Sequence, residues 1–149
     1  MQTDNQTKIT KASDSHRAMV IALLQAEKLP VEDLPASLDN FFVAIDNTNV
    51  IGAIGLEQYG NYGLLRSMAV SATYRNKGIA SKLVAQLERH ALAAGIDCIY
   101  LLTETAPEYF KRKGYEQISR DEAPKPIQAS SEFSHVCPVS AIFMKKPLS

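Results

Sequence analysis

Apolar and polar positions follow two rhythms along the chain. Met19, Val20, Leu23 and Leu24 recur at helical spacing, so Asp14 to Glu27 reads as an amphipathic helix that Ser13 or Asp14 can cap. Lys28 to Leu38 holds Pro30 and Pro35 and reads as a loop with one short helical turn. Phe41 to Ile45 and Val50 to Leu56 are β-rich runs around the polar turn Asp46-Asn47-Thr48-Asn49, which makes a hairpin. Tyr59 to Gly63 is a second turn, leading into a strand at Leu64 to Val70.

From there the rhythm changes. Ile79, Leu83, Leu87 and Ala91 form one helical stripe with Ala80 and Val84 beside it, and Gly95 is a natural terminator. Cys98 to Leu102 is nearly unbroken in apolar character, as in a strand covered on both faces. Strand, long helix and strand within about forty residues form a βαβ unit, so these two strands run parallel. A shorter helix, Ala106 to Lys113, ends at Gly114, and Tyr115 to Ile118 forms another strand. Ser119 to Pro138 is polar, with a short helix at Ile127 to His135, before a last strand at Val139 to Met144.

Length and composition narrow the class. A chain of 149 residues fits one domain, spanning 1–149, and buries enough surface to fold without metal or disulfides. Lys+Arg and Asp+Glu are both 16, and this balance lacks the basic excess of a protein that binds nucleic acid through phosphates. Ala18 to Leu24 is far shorter than the ~20 residues that span a bilayer, so no membrane partner is expected. The first residues have neither a basic nor an apolar segment of a signal peptide. Cys98 and Cys137 lack metal-ligand spacing, and a reduced, cytoplasmic protein is expected.

The chemistry concentrates in Leu64-Leu-Arg-Ser-Met-Ala-Val70-Ser-Ala-Thr-Tyr-Arg75-Asn-Lys-Gly78-Ile-Ala80-Ser81, a strand that turns into a helix start. Unpaired amides and the helix dipole favour an anion there. Gly78 allows close backbone approach, Ala80 and Ser81 keep the entrance uncrowded, and Arg75 and Lys77 add charge. Neither a P-loop nor a dinucleotide fingerprint is present. Arg66 alternates with Leu64, Met68 and Val70 on a strand expected to be buried. Its guanidinium needs either an internal carboxylate, Glu57 or Glu104, or the carboxylate of a substrate. Cys98 reads as core. Cys137 reads as a small buried hydrophobe, with a nucleophile or thiolate ligand as the alternative. His90 reads as a surface or helix-end cation.

Taken together, Leu65-x-x-Met68-Ala-Val70, Arg75-x-x-Gly78-x-Ala80, the long helix, the buried strand and Tyr109-Phe110-Lys-Arg-Lys-Gly114-Tyr115 resemble the GNAT N-acetyltransferase superfamily. The core motifs cover residues 64–118. Leu101-Leu-Thr-Glu-Thr-Ala, Ser131-Glu-Phe and Cys137-Pro-Val-Ser-Ala more narrowly resemble arsenic-resistance-associated acetyltransferases and the acetyltransferase domains of N-acetylglutamate synthases. The resemblance implies an α/β fold: one GNAT-like domain with a mixed, twisted sheet of about six or seven strands flanked by helices. Its central parallel strands splay where Leu64–Val70 meets Cys98–Leu102.

It further implies acetyl-CoA as acyl donor, with no metal. The pantetheine would pair with the backbone of Met68, Ala69 and Val70. The diphosphate would sit on Arg75, Asn76, Lys77, Gly78, Ile79, Ala80 and Ser81, and the amide near Met68 would polarise the thioester. Phe110 stands where many members carry a thiolate-protonating tyrosine, and Thr103 where an Asn is often found. A thiol of pKa about 8.5 leaves with little help. Glu57, at a strand end beside the acetyl site, is the favoured base, with Glu104 through water as the alternative.

The expected reaction is direct acetyl transfer to the primary amine of a small, carboxylate-bearing, amino-acid-like substrate. Arg66 or Glu104 would meet that substrate. A non-catalytic acyl-CoA-binding or regulatory module and a protein-lysine acetyltransferase remain the alternatives. A homodimer through a strand edge is compatible with this architecture.

Overall fold

A computed structural model of the chain describes residues 7–29, 31, 34–104, 106–130 and 141–148. The elements are β1 (Thr7–Lys11), α1 (Arg17–Ala26), β2 (Phe41–Asp46), β3 (Asn49–Tyr59), β4 (Tyr62–Val70), α2 (Ile79–Ala93), β5 (Cys98–Thr103), α3 (Pro107–Arg112), β6 (Glu116–Gln117), α4 (Lys125–Gln128) and β7 (Ile142–Pro147). The sheet has seven strands in the order β1-β2-β3-β4-β5-β7-β6. Its β4–β5 pair is parallel, whereas β1–β2, β2–β3, β5–β7 and β6–β7 are antiparallel. This is the expected mixed α/β sheet, with the βαβ crossover through α2.

The chain divides into two compact units, Met1–Leu56 with Ser67–His90 and Glu57–Arg66 with Ala91–Ser149. In the first unit, Val20, Leu23 and Leu24 of α1 are buried and pack with Phe41, Val43, Ala53 and Ala69. The helical stripe places Ile79, Leu83, Val84 and Leu87 of α2 in the interior. Phe41 to Ala44 are buried at every position, so β2 is covered on both faces. Phe41 pairs with Gly55, where an added Cβ would lie 2.5 Å from the Phe41 ring. Gly55 therefore makes room for that ring.

In the second unit, Leu64, Tyr100, Ala123, Ile127 and Phe143 form the core, with Tyr59, Tyr62 and Cys98 packed against it. Tyr100 stacks on Phe143 at 5.6 Å. Gly95 takes φ 85°, and Ile96 N–H reaches back to Ala91 O at 3.0 Å, which closes the end of α2 as its position predicts.

Several boundaries differ from the sequence reading. Strand β1 is absent from that reading: in Thr7-Lys-Ile-Thr-Lys11 only Ile9 is apolar, and an outer strand has little to bury. Lys8, Thr10 and Lys11 are exposed. The first hairpin turns through two residues rather than four, with Asn47 at φ 60°. The second hairpin likewise narrows to Gly60-Asn61, so β3 runs on to Tyr59 and brings Glu57 inside the strand. The expected helix at Ile127 to His135 begins earlier, as α4; His135, Cys137, Pro138 and Ser131-Glu-Phe lie outside the described residues.

Gly55→Ala is expected to destabilise the protein by about 1–3 kcal/mol, because the new methyl forces the Phe41 ring from its place. Urea unfolding followed by circular dichroism measures it.

Candidate active site

Strand β5 pairs with β7 along its whole length, from Cys98↔Pro147 to Thr103↔Ile142. With β4 it pairs only over Tyr62↔Cys98, Gly63↔Ile99 and Leu64↔Tyr100. The parallel ladder therefore ends while β4 continues to Val70. Within that continuation Ser67 takes a left-handed φ of 58°, which breaks the two-residue alternation as a bulge does. This corrects the expected shared face of Leu64, Arg66, Met68 and Val70. Leu64, Leu65, Arg66 and Ala69 are buried, while Met68 and Val70 are half-buried.

Past Val70, Ser71 N–H donates to Ile51 O at 2.8 Å, and a turn of 3-10 helix spans Ala72–Tyr74. Asn76 and Gly78 then adopt left-handed φ of 65° and 79°. Residues 75–78 are exposed, and a Cβ on Gly78 would meet no atom within 4 Å. Left-handed residues in a turn can bring backbone N–H groups together as an anion-binding concavity. Lys82 N–H bonds Gly78 O at 3.2 Å, closing the first turn of α2, while Ile79 anchors it in the core and Ala80 and Ser81 stay half-buried.

The two expected cations divide. Arg75 pairs with Glu27 within the same unit. Lys77 instead lines an open groove of about 320 Å³ with Lys82, Thr7, Asp46, Thr73, Tyr74 and Ile79. There the Tyr74 hydroxyl donates to Asp46 at 2.5 Å. That bond, aided by desolvation and the Asp46 charge, raises the phenol's pKa above its ordinary value.

The second unit holds an enclosed ionic pair. Arg66 Nη1 donates to Glu57 Oε2 at 2.5 Å, with the Arg66 side chain fully enclosed and that of Glu57 20% exposed. The Tyr59 hydroxyl donates to the other oxygen, Glu57 Oε1. Of the two partners expected for Arg66, the structure supplies the internal carboxylate, Glu57. Glu104 lies exposed just beyond β5. Sequence reading did not single out Tyr59, although Glu57 and Tyr59 stand two apart on β3 and hence share a face.

Phe110 is buried, with its ring edge-on to Tyr109 at 5.3 Å and Tyr115 at 5.4 Å. Tyr109 is half-buried on α3, with Arg112 and Lys113 over its ring at 5.9 and 5.5 Å. Thr103 Oγ1 accepts the N–H of Ala106 at 3.1 Å, which braces the entry to α3. His90 lies in the last turn of α2, as expected, but is half-buried. Burial, and then the Lys11 charge, lower its pKa below 6.5. Its ring meets Phe42 edge-on at 5.4 Å and lies 3.3 Å from Asn40 Oδ1. Burial raises the Cys98 thiol's pKa, consistent with a core role.

A model of the acetyltransferase (GNAT) domain matches residues 37–117, more than half of the chain. The chain belongs to the GNAT acetyltransferase family. An uncharacterized N-acetyltransferase of Chlorobaculum tepidum is 34% identical over 101 residues, 67% of this GNAT chain and 64% of that protein. An amino-acid acetyltransferase of Pseudomonas syringae pv. syringae is 34% identical over 62 residues, 42% of this chain and 14% of that protein. The N-acetylglutamate synthase of Neisseria gonorrhoeae, solved with coenzyme A and N-acetyl-glutamate, matches the fold with a TM-score of 0.83 at 18% identity. That match covers 96% of this chain and 35% of that one. The GNAT chain thus spans less than two thirds of the length of each of these proteins.

Removing Arg66 deletes a large enclosed side chain and strands its carboxylate partner. Arg66→Ala is expected to cost about 3 kcal/mol in urea unfolding, and Arg66→Met, which keeps most of the volume, distinctly less.

Proposed function

We propose that this protein transfers an acetyl group from acetyl-CoA to the primary amine of a small, carboxylate-bearing molecule, an amino acid or close analogue. The observation that carries the reading is the exposed turn with left-handed Asn76 and Gly78 that leads from β4 into α2. Its open side above Gly78 and its run of backbone amides fit a diphosphate. Asn76, Lys77, Gly78, Ile79, Ala80 and Ser81 would hold that group, and Arg75 would join them by exchanging Glu27 for phosphate oxygen. Family membership and the likeness to amino-acid acetyltransferases support the same donor and acceptor classes.

When bound, acetyl-CoA supplies the acetyl thioester. The backbone of Met68, Ala69 and Val70, beyond the end of the β4–β5 ladder, would pair with the pantetheine arm. The N–H near Met68 would donate to the thioester carbonyl, where negative charge builds during attack. Glu57 would take the proton lost by the attacking amine, with Glu104 through water as the alternative. Phe110 offers no proton to the departing thiolate, and a thiol of pKa about 8.5 needs little help. An α-amine of pKa about 8 is partly neutral at pH 7.5, whereas a lysine at about 10.4 is almost wholly charged. A site with one shielded base therefore suits an α-amine better than a protein lysine.

The second reading is a non-catalytic acyl-CoA-binding module, favoured by the buried phenyl ring of Phe110 in place of an acid. Thiol release from acetyl-CoA, measured over the twenty L-amino acids and a lysine peptide, separates the readings. Turnover on amino acids is expected. Binding without release on any amine would establish the module, and release on the peptide alone would establish a protein acetyltransferase. In calorimetry Gly78→Glu is expected to weaken acetyl-CoA binding more than about 100-fold by setting a carboxylate at the cradle. Gly78→Asn, which tolerates the left-handed backbone, should stay within about tenfold.

A further inference from the structure

The Glu57 carboxylate is held at both oxygens, and the two holders differ in kind. Arg66, on β4, is an enclosed guanidinium bonded to Oε2, whereas Tyr59, two residues along β3, bonds Oε1 through a neutral phenol. The Tyr59 ring packs against the cluster of Leu64, Tyr100, Ala123, Ile127 and Phe143, so its hydroxyl is carried on a fixed ring rather than a free-swinging one. A carboxylate held at one oxygen swivels about that contact; held at both, its plane is set. Each carboxylate oxygen has two acceptor positions, and the 20% of the Glu57 side chain left open gives a proton a way in.

We infer that Tyr59 is a positioning residue for acetyl transfer. It fixes the plane of the Glu57 carboxylate so that an open lone pair meets the amine proton. The inference rests on the reading of Glu57 as the base. In the step it serves, the amine nitrogen forms a bond to the acetyl carbon and the carbon–sulfur bond breaks. The amine proton goes to Glu57, and the electron pair leaves on the thiolate. Tyr59 keeps its own proton throughout. Arg66, committed to Glu57, is then the second holder of the base rather than the clamp for a substrate carboxylate. Truncating Tyr59 should therefore slow the chemical step without weakening either substrate.

The test uses the full chain with acetyl-CoA and whichever L-amino acid gives the fastest thiol release. Tyr59→Phe, Glu57→Gln and the double variant are compared at a temperature where melting curves show all three folded. Tyr59→Phe is expected to lower kcat about tenfold with both KM values within about twofold. In the Glu57→Gln background the same change should cost less than about twofold, because there is no longer a base to orient. Glu57→Gln with low kcat and Tyr59→Phe at wild-type kcat would overturn the positioning role alone. An equal loss from Tyr59→Phe in both backgrounds would do the same, as the mark of a merely structural residue. Glu57→Gln at wild-type kcat, or no release with any amino acid, would overturn the base reading and this inference together.

Discussion

A strand that leaves its neighbour must find other partners for its backbone, and β4 leaves β5 after Leu64 and Tyr100. Sheets seldom give up hydrogen bonds in the interior of the chain, because a buried unpaired N–H or C=O costs as much as a lost bond. Here β5 keeps its full ladder with β7 on the other side, so the loss falls on one edge of each strand. β4 continues to Val70 with a left-handed residue, Ser67, where the pleat would otherwise repeat. The acyl-donor reading turns that loss into a use: a pantetheine arm carries amides of its own and can complete the pairing.

Much of this was legible because it follows from periodicity. The α2 stripe, the apolar β5 run and the Gly95 stop each rest on a local rule, and the parallel crossover follows from their order. What escaped the sequence reading is what depends on partners. Strand β1 has a single apolar residue and exists through its ladder with β2. Ser67 carries no signature of a left-handed residue, since serine seldom serves there, so the phase of β4 could not be read past Arg66. Gly78 was legible as a point of close approach, while Asn76 acquires its left-handed backbone from the turn around it. The Arg66–Glu57 pair was one of two open choices, because a buried guanidinium announces that it has a partner without saying which.

The same pair limits the chemistry. A substrate carboxylate that approached the enclosed Arg66 would compete with a partner already in place at 2.5 Å. On the reading proposed above, a second cation would share the recognition of an acidic acceptor. Separately, Arg75 with its Glu27 partner and Lys77 with the groove beside α2 show that the two basic residues of the motif have different surroundings. One is held in reserve by a carboxylate, and the other stands in solvent.

The outer strand β1 has a consequence for how these molecules meet one another. A second copy adding its own strand alongside would have to strip water from the ammonium groups of Lys8 and Lys11, with no carboxylate in β1 to compensate them. Such a rim repels templating by its own kind. Lys8 and Lys11 therefore disfavour end-on growth into fibrous aggregates from this edge.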